Sequence, residues 1–578
     1  MKSVCTLLLL FVSVCSYAVP SRPILSKITL SDGSVISVYL RGDETLRWME
    51  STDGRTLMYD KDGCAVYASL DEIKATKVQR AARNIQPQQK TKFRAPGGES
   101  SQTVNALVLL IGYSDLPFSK SKADFDMLFN QVGYSENGAL GSVRDFYLED
   151  SYGQFDVNFT VAGPFTAANT MKYYGEDISG NDAHVLNLVK EAVIFASNAG
   201  IDFTQFDNDS DGYLDNIHVV YAGHGQENGG VSTDAIWAHT GYFDQSEDFP
   251  IDGKILWHYS CASELRGSSN STINTIGVHT HELGHNMFYA PDFYDANGTI
   301  GGSYLGTGYW DLMSSGSWNG PDKNGSCPAH TNMYQKIVNG WVNPVELTGT
   351  QTIVDMLNSS ENPVAYVVKT PVENDYYVLE NRQKIGFDSN IPGHGLLIYH
   401  ASLTDDNIIK NTVNNTHPQK MYPVCASANG NPGNSYSSYG KIDSDGCPFP
   451  GYFGITEFTA ETLPSFIAWN GLSANGKLVD ITENSELISF NFVNMADDIR
   501  FLPNSEIAIY PNPLKRGECL NFDIQSDRAN LAVYSLAGIQ ISEEVISNGS
   551  HTINLPTGVY LLKLTENGNI KTSKLVVQ

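Results

Sequence analysis

The sequence has little positive charge for its length. It carries 37 Lys and Arg residues against 64 Asp and Glu residues, which gives a formal net charge of −27. Proteins that bind nucleic acid need a basic surface to neutralise phosphates, so this composition argues against a nucleic-acid partner. An acidic surface suits a soluble extracellular protein that binds calcium, although many cytosolic proteins are also acidic.

Long apolar runs are rare as well, and the clearest one is at the N-terminus. Lys2 precedes an apolar core at residues 4–14, and residues 16–18 (Ser-Tyr-Ala) form a small-residue cleavage site. This pattern is typical of a signal peptide, here residues 1–18, cleaved after Ala18. The core is too short to anchor the chain in a membrane, and no other run approaches spanning length. The sequence therefore predicts a secreted protein without a transmembrane anchor.

Cysteine is scarce. After cleavage the remaining cysteines are Cys64, Cys261, Cys327, Cys425, Cys447 and Cys519. Cysteines of an exported protein can form disulfides. Proximity within one loop-rich region favours Cys425 with Cys447, and a bond between Cys261 and Cys327 would join two segments that flank residues 275–294, although a sequence cannot fix the connectivity.

The pattern along the 578 residues indicates several domains. Residues 28–39 alternate around an Asp-Gly turn, which predicts a hairpin in a small unit at residues 19–95. The following region predicts buried strands at residues 104–111 and 217–221, and helices at residues 121–132, 142–149 and 181–197. Farther on, strands are predicted at residues 375–382 and 395–400, within a β-rich region at residues 346–500.

The chain is organised around residues 275–294, which contain the run His281-Glu282-Leu283-Gly284-His285. In a helix, His281 and His285 lie on one face and can bind one zinc ion at about 2.0–2.1 Å per nitrogen. Zinc lowers the pKa of a bound water to about 7, and Glu282 is placed to take its proton and pass it to the leaving amine. Such a short motif also occurs by chance. The apolar residues before it and Pro291 after it favour a buried helix that ends before the proline.

A catalytic zinc ion needs a third protein ligand. Asp292 and Asp295 follow the helix on a non-helical return. We expect Asp292 to be the ligand and Asp295 to orient a histidine or the turn, with the reverse assignment as the alternative. The remaining histidines of this region are expected to be structural: His224, His239, His258 and His279.

A second candidate metal site lies at residues 207–215. Its carboxylates occupy loop positions 1, 3, 5 and 9, and a glycine stands at position 6. These residues are Asp207, Asp209, Asp211 and Asp215, and Tyr213 would add its backbone carbonyl. Position 12 is His218 and a strand follows, so the loop is not an EF-hand. It predicts a Ca²⁺ site, and a solvated turn is the alternative.

Residues 308–320, GYWDLMSSGSWNG, place Met313 in a turn rich in Ser and Gly. Together with the helix motif and residues 291–295, Pro-Asp-Phe-Tyr-Asp, they resemble the immune inhibitor A family of secreted metallopeptidases, in the metzincin clan. The resemblance implies a zinc peptidase domain at residues 96–345, an acidic third ligand at Asp292, a Met-turn at Met313 and a propeptide at residues 19–95. The clan places a glycine and the third ligand three and six residues after the second histidine. This chain has Phe288 and Pro291 there, which implies one inserted residue.

A propeptide raises the question of how it would be removed and how it would inhibit. Residues 74–94 are polar and basic, which makes them candidates for cleavage. Cys64 would bind the zinc ion as a latency switch or, as the pattern favours, sit in a hairpin without contacting it.

Residues 505–578 predict short strands at regular spacing, as in a small β-sandwich. Their Tyr-Pro-Asn-Pro start at residues 510–513 and their Leu-Val-Val end at residues 575–577 resemble the C-terminal sorting domain of type IX secretion in Bacteroidetes. The resemblance implies export by the type IX machinery to the medium or the surface of a Gram-negative bacterium.

The sequence thus predicts an α+β metzincin-like catalytic domain with a mixed sheet and an active-site helix. An N-terminal propeptide and C-terminal β-sandwich-type domains would flank it. The predicted function is a secreted zinc endopeptidase acting on proteins or peptides, with Zn²⁺ as cofactor and Ca²⁺ as a structural ion. The alternatives are an adhesin on the same scaffold and a zinc hydrolase of another kind. Glu282 favours the enzyme over the adhesin, because a binding scaffold needs no general base.

Overall fold

The computed structural model describes most of the chain. The described residues are 16–44, 47–60, 64–69, 71–73, 102–178, 181–182, 184–229, 231–243, 249–296, 304–494, 509–522, 524, 526–535, 540–566 and 569–578. The core of the predicted signal peptide and the predicted processing segment at residues 74–94 lie outside them. Contacts divide the chain into two compact units, Met1–Asn494 and Met495–Gln578.

The region predicted to be a peptidase domain, residues 96–345, is called the peptidase region here; it is built on one mixed sheet, which we call the main sheet. Within the described residues its strands lie in the order Ser16–Tyr17, His239–Tyr242, His258–Leu265, Ile217–His224, Gln102–Gly112 and Phe155–Thr166. The last four strands in this order are parallel, whereas His239–Tyr242, the edge strand, is antiparallel to its neighbour. The strands predicted at residues 104–111 and 217–221 are confirmed.

Helices pack on both faces of the main sheet, and further helices follow its strands in the chain. Those described are Lys122–Asn130, Val143–Asp150, Met171–Gly175, Val185–Asn198, Ile276–Phe288, Met333–Val338 and Asp405–Ile409. The helices predicted at residues 121–132 and 142–149 are confirmed, and each begins with a serine capping box. The helix predicted from residue 181 begins only at Val185, because residues 181–182 pair with Asp177–Ile178 in a short ladder.

The central strand Gln102–Gly112 divides the core. Successive side chains of a strand point to opposite faces, and both faces are apolar here. Leu107 and Leu109 pack in a cluster with the helix Val185–Asn198, whereas Val108 and Leu110 belong to a cluster with Leu283 of the active-site helix. The active-site helix therefore lies buried against one face of the sheet.

Smaller sheets complete the first unit. The N-terminal sheet is formed by Leu25–Thr29, Val35–Gly42, Arg47–Ser51, Thr56–Tyr59 and Ala65–Tyr67. The β-rich region has one sheet of Val345–Glu346, Tyr366–Lys369, Tyr376–Arg382, Gly395–Ala401 and Met421–Pro423, and another of Gln351–Met356, Leu487–Asn494 and Gly476–Asn484. Two short hairpins are Asp177–Ile178 with Asn181–Asp182, and Phe249–Ile251 with Lys254–Leu256. The hairpin predicted at residues 28–39 and the strands predicted at residues 375–382 and 395–400 are confirmed.

A buried ionic network joins the peptidase region to the β-rich region. His330 Nδ1 lies 3.1 Å from Asp388 Oδ2, and His330 Nε2 lies 3.2 Å from Glu149 Oε1. Arg382 contacts the other oxygen of Asp388 at 2.5 Å. Burial lowers the pKa of His330 and nearby Lys336 acts in the same direction, but Asp388 and Glu149 outweigh them and raise that pKa to about 9. The two regions therefore share charged contacts.

The second unit is all β in its described residues. One sheet is formed by Ile509–Tyr510, Cys519–Phe522 and Gly549–Thr552, and the other by Gln540–Ile546, Ala529–Ser535, Gly558–Glu566 and Asn569–Val577. Phe522 from the first sheet shares one apolar core with Leu531 and Leu562 from the second. Two sheets around one core agree with the predicted sandwich.

The six cysteines among the described residues are free thiols. Cys261 Sγ lies 3.4 Å from His239 Nδ1, whereas Cys327 Sγ donates to Phe387 O at 3.1 Å. The predicted bond between Cys261 and Cys327 is therefore not formed. Cys425 and Cys447 are also unbonded, but they are neighbours, and a hydrogen bond between them lowers the pKa of Cys425 to about 6.

Candidate active site

The active-site helix Ile276–Phe288 is buried along its whole length. Two glycines allow it to pack closely against the loop that follows. A Cβ atom at Gly277 would lie 2.0 Å from Ser317 O, and one at Gly284 would lie 2.6 Å from Met313 Sδ. Met313 therefore packs directly beneath the helix, and Gly284 leaves the space that its sulfur needs.

The predicted zinc ligands meet at one point. His281 Nε2 and His285 Nε2 are 3.1 Å apart, and Asp292 Oδ1 lies 3.2 Å from each of them. Two atoms bound to one zinc ion at about 2.0–2.2 Å must lie within about 4.4 Å of each other. The three atoms therefore fit a single ion, and all three residues are buried.

Backbone carbonyls orient both imidazole rings. His281 Nδ1 donates to Leu312 O at 2.7 Å, and His285 Nδ1 donates to Ala290 O at 2.6 Å. A carbonyl oxygen can only accept, so Nδ1 carries the proton and Nε2 keeps its lone pair in the neutral ring. Burial lowers the pKa of His281, which favours that neutral form. Hydrogen bonds of this kind commonly support metal-binding histidines.

The helix ends where this chain differs from the metzincin pattern. Phe288 is its last residue, and Tyr289 adopts the left-handed conformation with φ at 51°. The N–H of Tyr289 donates to His285 O at 3.1 Å. Tyr289 thus makes the left-handed turn that ends the helix, three positions before Asp292. The predicted helix end before Pro291 is confirmed.

Asp295 lies apart from the ligand atoms. The described residues that bring metal-binding atoms together here are His281, His285 and Asp292, and Asp295 is not among them. Its side chain is buried, and its backbone N–H donates to Tyr304 O at 3.1 Å. Because carbonyls occupy Nδ1 of both histidines, Asp295 does not orient either ring through that atom.

Glu282 follows His281 on the helix and is fully buried. Its Oε1 accepts the backbone N–H of Val19 at 2.7 Å, and the hydroxyl of Thr240, which donates to Glu282 O at 2.8 Å, also lies 3.3 Å from Oε2. Burial raises the pKa of Glu282 well above its ordinary range, although the hydrogen bond from Val19 acts against that shift. The carboxyl group is therefore held through Oε1 in surroundings that favour its protonated form.

Residues 18–20, which we call the cleft segment, lie in the site. Their backbone carbonyls accept hydrogen bonds from three aromatic side chains. The hydroxyl of Tyr294 donates to Ala18 O. The indole N–H of Trp237 donates to Val19 O at 3.0 Å, and that of Trp318 donates to Pro20 O at 2.9 Å. Just before the segment, Ser16–Tyr17 pairs antiparallel with the edge strand. The N-terminal part of the chain thus runs past Glu282 in an extended form.

The sequence did not point to these partners. Tyr294 and Trp318 lie within the two motifs that carry the family resemblance, so the sequence does indicate that both residues are near the site. Trp237 and Thr240 belong to no recognised motif, and only the folded structure brings them to Glu282. Cys64 is absent from the group of candidate zinc ligands among the described residues, and the cleft holds residues 18–20 instead.

The loop at residues 207–215 brings together part of its predicted ligand set. Carboxylate oxygens of Asp207, Asp209 and Asp215 lie within 4.8 Å of one another. Asp211 lies outside this group and accepts the N–H of Tyr213 at 2.8 Å. Burial and the neighbouring carboxylates raise the pKa of Asp215 to about 7. The loop already holds one cationic group, since Lys254 Nζ lies 2.6 Å from Asp207 Oδ2.

The other histidines make structural contacts. His279 Nδ1 lies 2.9 Å from His218 Nε2, and burial lowers the pKa of His279 to about 3. His239 lies between Trp237 O at 2.7 Å and Tyr259 Oη at 2.8 Å. Within the described chain, neither group of candidate metal ligands contains His224, His239, His258 or His279.

Comparison with known proteins identifies two regions. Residues 99–342 match the family model described as immune inhibitor A peptidase M6, catalytic domain. Residues 508–578 match the secretion system C-terminal sorting domain, which indicates type IX secretion to the cell surface or the extracellular space, as in Bacteroidetes. Among the described residues, no helix has the length and apolarity needed to cross a membrane.

Curated relatives agree with the first match. Immune inhibitor A of Bacillus thuringiensis subsp. alesti is 29% identical over 285 residues, which cover 42% of this chain and 41% of that protein. Pre-pro-metalloprotease PrtV of Vibrio cholerae serotype O1 is 27% identical over 354 residues, which cover 49% of this chain and 37% of that protein. The chain thus spans well under half the length of both relatives.

A solved structure of PorZ, a surface component of the type IX secretion system of Porphyromonas gingivalis, aligns with 41% of this chain and 25% of that one. Its TM-score of 0.11 and identity of 11% carry no argument about the fold. The two family matches and the geometry of the predicted zinc ligands do not depend on this alignment. Residues 99–342 therefore form a catalytic domain of the immune inhibitor A peptidase M6 family, and residues 508–578 form a C-terminal secretion sorting domain.

Proposed function

We propose that this chain is a secreted zinc endopeptidase that hydrolyses peptide bonds in proteins. One observation carries the proposal: the two Nε2 atoms and Asp292 Oδ1 converge within 3.2 Å of one another in a buried site. Three acceptor atoms so close together repel one another unless a cation lies between them. Imidazole nitrogen and carboxylate oxygen are ligand atoms that zinc commonly binds.

Glu282 is the proposed general base. A zinc ion held by His281, His285 and Asp292 would polarise the peptide carbonyl and lower the pKa of a water molecule. Glu282 takes a proton from the attacking water and gives it to the leaving amine.

The edge strand His239–Tyr242 supports the binding of an extended peptide. It pairs antiparallel with residues 16–17, and a substrate can add to the same strand through main-chain hydrogen bonds. Trp237 and Trp318 donate to successive backbone carbonyls of the cleft segment. Contacts to the main chain alone do not select side chains, which suits an enzyme that cleaves proteins of varied sequence.

We also propose that residues 19–95 are a propeptide that keeps the enzyme latent. Val19, the first residue of this region, is fully buried, and its N–H donates to the proposed base. A substrate cannot reach Glu282 while this segment is in place. Signal-peptide cleavage after Ala18 would leave the new amino terminus of the chain at Val19, next to the Glu282 carboxylate. The printed name of the Vibrio relative, a pre-pro-metalloprotease, agrees with such a precursor.

Calcium binding by the loop at residues 207–215 is a further proposal. Three of its carboxylates converge, and oxygen donors are what calcium prefers. Lys254 occupies one side of Asp207, so the ion would have to displace it or share that carboxylate with it. The proposed partners are protein substrates at the catalytic domain and the type IX machinery at the sorting domain.

Hydrolysis of an unfolded protein such as casein tests the proposed function. The processed enzyme should cleave casein, and a zinc chelator should abolish cleavage until zinc is restored. An adhesin would bind casein without cleaving it, and a zinc hydrolase of another kind would leave it intact. Either result would reject the endopeptidase.

A further inference from the structure

We infer that Asn411 is a positioning residue for the metal centre, which it reaches from the β-rich region; the inference rests on the proposed zinc site. Asn411 lies 119 positions after Asp292 and outside the residues matched by the peptidase model, 99–342. Its Nδ2 donates to Asp292 Oδ2 at 2.6 Å, and its Oδ1 accepts the backbone N–H of Asp292 at 2.7 Å. One amide thus holds both the backbone and the carboxylate of the third ligand.

The orientation of this amide follows from its partners. The N–H of Asp292 can only donate, so the amide oxygen of Asn411 must face it and the NH₂ group must face the carboxylate. With Oδ2 engaged by that donor, Oδ1 is the oxygen that faces His281 and His285, at 3.2 Å from each Nε2. Asn411 therefore determines which carboxylate oxygen points to the metal centre.

The local backbone suits an asparagine at this position. Asn411 has φ of 50°, in the left-handed region that asparagine tolerates better than most residues. Its N–H donates to Ile408 O at 3.1 Å, which closes the short helix Asp405–Ile409. The amide is therefore presented from a fixed turn.

Neighbouring asparagines fasten the same two loops together. Asn414 Nδ2 donates to Phe293 O at 2.8 Å, and Asn415 Oδ1 accepts the N–H of Ala296 at 3.0 Å. These contacts hold the loop after the active-site helix, but they do not touch a proposed ligand. Asn411 differs from both because its donor reaches the Asp292 carboxylate.

Two variants of the full-length chain separate this role from general folding. Asn411→Asp keeps the size of the side chain but places an oxygen against Asp292 Oδ2, and Asn411→Gly removes the side chain where glycine adopts the same φ freely. Contacts that support a metal ligand typically change metal affinity by about 10–100-fold. Competitive zinc titration should show a loss of that size in both variants, and the visible spectrum of the Co²⁺-loaded protein should change. Asn415→Ala, the matched control, should retain both properties.

A folded Asn411 variant that binds zinc as tightly as the wild type and has an unchanged cobalt spectrum would overturn the inference. If Asn411→Asp does not fold, the result for Asn411→Gly is used by itself. His281→Ala separates this failure from that of the proposed function. If the wild type binds zinc no better than His281→Ala, the metal centre itself is rejected, and the role of Asn411 with it. If His281→Ala loses zinc while both Asn411 variants keep it, only the role of Asn411 is rejected.

Discussion

Val19 and Glu282 are 263 positions apart in the sequence, and the backbone N–H of Val19 donates to Glu282 Oε1 at 2.7 Å. This contact links the first residue after the predicted signal-peptide cleavage site to the proposed general base. Both residues are fully buried. The N-terminal part of the chain therefore covers Glu282, and under the proposed latency this segment must leave before the enzyme is active.

Loss of the indole donors should weaken latency. The double variant Trp237→Phe, Trp318→Phe removes two hydrogen bonds to the cleft segment, each contributing about 1 kcal/mol. The activity of the unprocessed precursor, divided by that of the processed enzyme, should rise at least about tenfold. The ratio corrects for any effect on substrate binding, and it is measured with one peptide substrate in both forms. Trp469→Phe, outside the site, is the control, and an unchanged ratio in the double variant would contradict the proposed latency.

The two aspartates after the active-site helix should differ in their effect on zinc. Asp292→Ala removes an atom that lies 3.2 Å from both Nε2 atoms, so it should lower zinc affinity severely. Asp295→Ala should cost at most about 10–100-fold, as expected for a residue that supports a ligand from outside. Zinc titration of the two purified variants measures both effects. The reverse order would show that the ligand assignment is wrong.

Calcium should stabilise the chain through the loop at residues 207–215. The double variant Asp209→Ala, Asp211→Ala removes one carboxylate of the group formed by Asp207, Asp209 and Asp215, and a second one from the same loop. Calcium should raise the melting temperature of the wild type but not that of the double variant. A wild-type melting temperature that is indifferent to calcium and to a calcium chelator would identify the loop as a turn stabilised by Lys254.

The buried pair of His330 and Asp388 should make stability depend on alkaline pH. The folded pKa of His330 is raised to about 9, above its unfolded value of about 6.5. Its contribution is therefore fully present below about pH 6.5 and is lost as the pH rises through about 9. His330→Gln leaves Asp388 with Arg382 as its buried partner, so the loss should be smaller than the about 3–5 kcal/mol that is typical of a buried charge left uncompensated.

Urea unfolding at neutral and at alkaline pH measures this effect. The difference in unfolding free energy between wild type and His330→Gln should shrink at the higher pH. His394→Gln is the matched control, because the His394 side chain is 55% exposed and an exposed pair contributes only about 0–1 kcal/mol. A constant difference for His330→Gln at all pH values would mean that the residue acts by packing alone.

Local patterns account for what could be predicted of the site. The spacing of His281 and His285 places both on one helical face, and Asp292 follows shortly after the end of the helix. The buried strand Gln102–Gly112 and the hairpin Leu25–Thr29 with Val35–Gly42 are likewise encoded in consecutive residues. The end of the helix before Pro291 could be predicted, although the left-handed turn at Tyr289 could not.

Contacts between distant segments could not be predicted. Asn411 and Val19 approach the helix from 119 and 263 positions away, and no local pattern marks either residue as a partner of Asp292 or Glu282. The predicted disulfide between Cys261 and Cys327 was wrong for the same reason, because two cysteines that flank one helix in the sequence can be buried in different places.

The central claim is that Glu282 moves protons at a zinc site formed by His281, His285 and Asp292. Casein hydrolysis by processed Glu282→Gln, with zinc content measured on the same sample, tests it most directly. The substitution removes the proton acceptor but keeps the three ligands, so bound zinc should remain as in the wild type while the rate falls by at least about 10²–10⁴-fold. Wild-type hydrolysis by the zinc-loaded variant would contradict the account.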